Sequence, residues 1–138
     1  MDRREELRRI CRDFGILVVY LFGSRAEDGR RLLDGGAADR AGSDLDVGVV
    51  FADPGFDPGR LASLQVALEE LFEPLRVDLV PLQRVDALFQ FEAVDGHRIA
   101  ATDEIHADEY ELTVMRRAAE LLPIQRRLEK ERFGVSTA

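Results

Sequence analysis

The sequence predicts an α+β fold, a small sheet flanked by helices with one long helix at the C-terminal end. Three observations predict it. Ile16 to Phe22 is an unbroken apolar run rich in Val, Ile and Tyr, residues 44–51 alternate in polarity, and several other segments repeat apolar residues at helical spacing. At 138 residues, 46% apolar and 33% charged, the chain reads as one domain over 1–138. A chain of this size buries about two-thirds of its unfolded surface and needs no covalent staple.

Taken in order, residues 2–13 form a helix with Leu7, Ile10, Cys11 and Phe14 on one stripe and a stop at Gly15. The single cysteine belongs to that stripe and is expected as core. Ile16 to Phe22 suits a central strand covered on both faces. Gly23-Ser24 ends it, and Arg25, Ala26 and Glu27 start a short helix that Gly29 is expected to interrupt. Residues 30–42, with Gly35 and Gly36 and no periodicity, read as a flexible surface loop.

Asp44 to Phe51 is the second strand, with Leu45, Val47, Val49 and Phe51 on one face and Asp44 and Asp46 on the other. Asp57 caps a helix that has Pro58 in its first turn and ends before Pro74. Arg76 to Val80 is a third strand, closed by Pro81, in which Asp78 faces opposite to Val77 and Leu79. A helix over 85–94, an extended piece over 97–101 and a long helix over about 103–132, capped by Thr102 and kinked at Pro123, complete the chain.

The charge balance restricts partners. A net charge of -8 repels a phosphate backbone, and basic residues are not gathered in a stripe, so nucleic acid is not an expected substrate. An acidic protein still binds phosphate neutralised by a divalent cation. No apolar run approaches a bilayer span, and the chain opens with Asp2, Arg3, Arg4, Glu5 and Glu6 where a signal peptide would be basic and then apolar. No membrane partner and a cytoplasmic location are therefore expected.

An Asp-x-Asp pair arises by chance in a chain this rich in Asp, so its context decides its weight. Asp44 and Asp46 on one strand face stand about 7 Å apart at their side-chain roots, close enough to share a cation. Without one, two carboxylates about 5 Å apart repel by on the order of 3 kcal/mol at an effective dielectric of about 20. Gly23-Ser24 at a strand-to-helix turn suits phosphate, because glycine admits a ligand close to backbone. A common turn explains Gly-Ser by itself, and a solvated edge strand explains Asp78 as readily as a ligand does. His97 and His106, on different elements and without neighbouring ligands, are not read as a metal site.

Leu21-Phe22-Gly23-Ser24-Arg25-Ala26, then Ser43-Asp44-Leu45-Asp46-Val47, then Val77-Asp78-Leu79-Val80 together resemble the minimal nucleotidyltransferases of the DNA polymerase β-like superfamily. The resemblance covers roughly the first 80 residues and implies that superfamily's fold, with a mixed sheet. Phe91-Glu92-Ala93-Val94-Asp95-Gly96 and the long helix after it look like the tail of MntA-type proteins, the nucleotidyltransferase half of HEPN–MNT toxin–antitoxin pairs. The resemblance implies nucleotide binding by Gly23 and Ser24 with help from Arg25, and ligation of two magnesium ions by Asp44, Asp46 and Asp78, the last also aiding deprotonation of the attacking hydroxyl. It further implies ATP as substrate, AMP transfer to a hydroxyl of a partner HEPN toxin, a tyrosine above all, and a hetero-oligomer with that toxin. Nineteen residues lie between Ser24 and Asp44, more than the family's usual spacing, which marks residues 30–42 as an insertion.

Two other readings stay open at this stage. One is an antitoxin that masks its toxin by binding alone; the other is nucleotidyl transfer to a small-molecule hydroxyl. Arg116, Arg117, Arg126 and Arg127 on the last helix suit a partner surface or a solvated face. Tyr20 reads as core and not as a modified residue, and Tyr110 as either.

Overall fold

The structure of the chain, a computed structural model, describes residues 1–53, 55 and 57–133. The expectation for 1–138 as one domain thus extends beyond the described residues at its end. The elements follow in the order α1 (Arg3–Phe14), β1 (Ile16–Phe22), α2 (Ala26–Leu33), β2 (Leu45–Phe51), α3 (Pro58–Leu71), β3 (Val77–Pro81), α4 (Ala87–Val94), β4 (His97–Ala101) and α5 (Glu104–Phe133). The strands form one mixed sheet in the order β3-β2-β1-β4. β1 lies antiparallel between β2 and β4, and β3 runs parallel to β2 at the edge.

Both faces of the sheet are covered, which accounts for the uninterrupted apolar run of β1. Val19 and Leu21 pack with Leu7, Ile10 and Cys11 of α1, Leu32 and Leu33 of α2, and Leu64 and Leu68 of α3. On the opposite face Val18, Tyr20 and Phe22 meet Ala93 of α4 and Ala107 of α5. Tyr20 is wholly buried, and its hydroxyl donates to the Glu111 carboxylate at 2.7 Å, so the one polar atom it takes into the core is satisfied. Arg98 of β4 reaches Glu104, Asp108 and Glu111, fastening α5 across that face.

Local signals set most boundaries. The Asp2 carboxylate accepts from the Glu5 N–H at 2.8 Å, and Gly15 closes α1 in the left-handed conformation. Asp57 caps α3 through the Arg60 N–H, also at 2.8 Å, with Pro58 at its start. The edge strand β3 is guarded by α3: Gln65 Nε2 donates to the Val77 carbonyl at 2.7 Å, while the Glu69 carboxylate accepts from the Val77 N–H at 3.3 Å. Backbone groups that would otherwise be open to another strand are thereby paired.

Three expectations are corrected. Gly29 does not interrupt α2, which continues to Leu33; a Cβ at Gly29 would stand 2.8 Å from Leu21 Cδ1 and 3.0 Å from Leu45 Cδ1, so the glycine lets the helix lie close on the sheet. The loop expected over 30–42 accordingly begins only after Leu33, and Ala38 within it packs on the core. Finally, α5 is capped by Asp103, whose carboxylate accepts from the His106 N–H at 3.1 Å, whereas the Thr102 hydroxyl donates to the Ile16 carbonyl at 2.9 Å. A tertiary contact has claimed the threonine that local sequence offered as a cap. The helix runs on through Pro123.

Candidate active site

Gly23, Ser24, Asp44, Asp46 and Asp78 lie at one end of the sheet, where β1, β2 and β3 run side by side. In the ladder Phe22 faces Asp46 across the antiparallel pair, and Asp46 faces Asp78 across the parallel pair. Asp46 and Asp78 are therefore placed by backbone hydrogen bonding, not by loops. Asp44 lies just before the first residue of β2, so the expected strand loses its first residue.

Gly23 turns the chain directly after β1 with φ +75°. A side chain there is excluded for a second reason: a Cβ would stand 2.2 Å from Asp46 Oδ2. The carboxylate occupies the space a larger residue would take, so Gly23 and Asp46 are two halves of one feature. Ser24 follows, with its Oγ 2.9 Å from Ser43 Oγ. That contact ties the Gly-Ser turn to the residue preceding Asp44.

Electrostatically the cluster is under tension. Burial, then the Asp78 carboxylate, which shares a hydrogen bond with it, then Asp44 and Glu92, all raise the Asp46 pKa above the ordinary aspartate value. Asp78 touches Asp46; Asp44 acts on it through charge alone. Among the described residues no three acidic, imidazole or thiolate groups already converge as a ligand set. The donor chemistry nonetheless suits a hard divalent cation, since Asp46 and Asp78 stand side by side in the ladder and Asp44 and Glu92 lie near enough to raise the Asp46 pKa. A cation would relieve the repulsion that burial intensifies.

Glu92 was not among the sequence-derived candidates. It is the single charged residue of α4, whose sequence is otherwise ALFQF and AV, and that isolation was the available signal. α4 rests on β1 at this end, where Phe89 meets Phe22 edge-on with ring centroids 5.9 Å apart. A groove of about 330 Å³ between α4 and α5 is lined by Phe89, Glu92, Leu122 and Gln125 among others, and shares with the cluster only Glu92. A larger concavity of about 690 Å³ lies elsewhere, between α3 and Arg40 and Arg76, and does not include the three aspartates.

Arg25, next after Ser24, turns toward residues of its own chain. Its guanidinium is nearly buried and donates to the Asp28 carboxylate and to the carbonyls of Asp39, Ala41 and Ser43. His97 pairs with Glu27 and His106 with Asp103, on separate elements, and neither joins the acidic cluster.

No curated protein matches the sequence. Solved structures share the fold. A variant of the MntA–HpeT toxin–antitoxin and a toxin–antitoxin with AMP-PNP each align with TM-score 0.68 at 18% identity, over 93% of this chain and 96% of theirs. A tri-AMPylated Shewanella oneidensis HEPN toxin in complex with MNT antitoxin gives TM-score 0.53 at 22% identity, over 94% of this chain and 89% of that one. The family described as "Polymerase beta, Nucleotidyltransferase" matches residues 5–105, more than half of the chain and all of the acidic cluster. With glycine turn, paired aspartates and strand-borne third aspartate all inside that span, this chain belongs to the polymerase β-type nucleotidyltransferase family.

Proposed function

We propose that this chain transfers AMP from ATP to a hydroxyl of a partner protein, a tyrosine of a HEPN-type toxin, and so acts as an antitoxin. The observation that carries the reading is the Asp46 carboxylate, packed against the Gly23 turn on one side and Asp78 on the other. In the reaction the acceptor oxygen bonds to the α-phosphorus, the bond from that phosphorus to the bridging oxygen breaks, and pyrophosphate leaves. Asp44, Asp46 and Asp78 would hold two magnesium ions, which when bound supply charge neutralisation for the triphosphate and the departing pyrophosphate. Gly23 and Ser24 seat the phosphates through backbone exposed at the turn. Asp78, on an edge strand open to solvent, is the carboxylate that takes up the acceptor proton.

Gly23, Ser24, Asp44 and Asp78 are exposed, and no pocket found among the described residues encloses them. That geometry suits a hydroxyl presented by another folded protein better than a small molecule that must be enclosed. The related folds are solved as toxin–antitoxin pairs, one of them with AMP-PNP and one with an AMPylated toxin. Their partners supply the chemistry of the proposal. A hetero-oligomer with the toxin in the cytoplasm follows, without nucleic acid as a direct ligand. Among the described residues no helix is long and apolar enough to cross a membrane.

Exposed apolar residues along α5 favour one further reading, in which contact with the partner contributes to neutralisation by masking. A double variant separates the two. Asp44→Asn with Asp46→Asn should leave the folded chain able to bind its co-expressed toxin while no tyrosine gains the mass of AMP, and toxicity returns. Full neutralisation by the double variant, without adenylylated tyrosine, would rule out catalysis as the mechanism.

A further inference from the structure

We propose that Arg25 is a positioning residue, a latch that fixes residues 34–43 against the start of α2 and thereby sets where Asp44 stands. The inference rests on the reading above, in which Asp44 holds a cation, and goes beyond it by giving the inserted segment a task. Arg25 Nη1 donates to the Ala41 carbonyl at 2.9 Å and the Ser43 carbonyl at 3.2 Å, and Nη2 donates to the Asp39 carbonyl. Its Nε donates to Asp28 at 2.6 Å, and the Asp28 carboxylate is itself held by Arg31 at 2.8 Å. A nearly buried cation thus has its donors directed at backbone of one segment and at one carboxylate. A planar five-donor fork is suited to gathering carbonyls in this way, and lysine, with a single ammonium, is not its equal.

The receiving side is shaped to match. Gly42 adopts φ +111°, and a Cβ there would stand 3.1 Å from Arg25 Nη1. Ser43, whose carbonyl Arg25 holds, also bonds to Ser24 through its hydroxyl and directly precedes Asp44. The chain from the phosphate turn to the first aspartate is therefore closed into one frame at two points. Without the latch, Asp44 hangs from a segment of about ten residues that has no secondary structure of its own.

Two measurements on the intact chain test this. The Asp39 and Ala41 carbonyls flank the Arg40–Ala41 bond, so trypsin cleavage after Arg40 reports release of the latch; Arg25→Ala should speed it at least ten-fold, with Arg25→Lys between that variant and the parent. Mn²⁺ affinity, measured without nucleotide, should fall at least five-fold in Arg25→Ala. The direction is diagnostic, because removing a positive charge near carboxylates would by electrostatics alone strengthen cation binding. Gly42→Ala disturbs the latch from the other side and should change both readouts in the same direction, which covers the case of Arg25→Ala failing to fold. Unchanged cleavage in both variants overturns the latch. Faster cleavage with equal or tighter Mn²⁺ binding overturns its link to Asp44. A parent chain that binds no Mn²⁺ overturns the functional reading instead, and the cleavage arm then decides the latch by itself.

Discussion

Burial and the neighbouring carboxylates of Asp78, Asp44 and Glu92 oppose ionisation of Asp46. A folded-state pKa raised above the unfolded value means a stabilising contribution that is complete below the ordinary aspartate value and lost as pH rises through the raised one. Above that window the ionised cluster works against the fold. Asp46→Asn should therefore raise the unfolding temperature of the metal-free protein at pH 7, by on the order of 3 °C in a thermal scan, while reducing the proposed AMP transfer at least about 100-fold. The proposed divalent cation would compete with protonation of Asp46, so Mn²⁺ affinity should fall as pH drops toward the raised Asp46 pKa, with proton release on binding in that range measurable by calorimetry in two buffers. Elsewhere single residues do structural work. Burial pushes the Cys11 thiol up to about 11, so it should resist a thiol reagent at pH 7 until the protein unfolds. Tyr20→Phe removes the donor to Glu111 and should cost about 1.5 to 3 kcal/mol in urea denaturation, the range for a hydrogen bond to a charged group.

At the scale of elements, what the sequence disclosed was whatever local chemistry decides. β1 spans Ile16–Phe22 as its apolar run predicts, and α1 and α3 begin at the caps that Asp2 and Asp57 offer. The Asp-x-Asp and the later Asp78 were recognisable because strand alternation is a local property. Features that depend on partners distant in the chain were not. Gly29 reads as a helix breaker until Leu21 and Leu45 are seen beneath it, and the bonds of Arg25 to the Asp39 and Ala41 carbonyls join it to a segment that carries no local signal. Glu92 lies 46 residues from Asp46 and joins it only because α4 packs on β1. Gly29→Ala should be net destabilising by about 1 kcal/mol: helix propensity gains about 1 kcal/mol, but overpacking beneath α2 costs about 1 to 3 kcal/mol. Chemical denaturation of the purified variant measures the balance.

On the scale of the whole molecule, α5 is longer than the body it covers. Thirty residues make a rod of about 45 Å, yet its buried side chains, Ala107, Val114 and Ala118, belong to the first half. Past Leu122 every described side chain of the helix is exposed, with Ile124 and Leu128 apolar among them. Ending the chain after Leu122 should leave the unfolding midpoint within about 2 °C of the parent, since every described side chain removed is exposed, while capture of the proposed toxin partner should weaken. The sheet carries a different kind of information. Because side chains alternate along β3, sliding that strand by a single position would offer Val77 or Leu79 where Asp78 now stands and turn the acid toward the hydrophobic interior. Gln65 and Glu69, gripping the outermost strand by its own main chain, thus guard the register that sets Asp78 beside Asp46, and mutating either should injure the proposed chemistry that neither one touches.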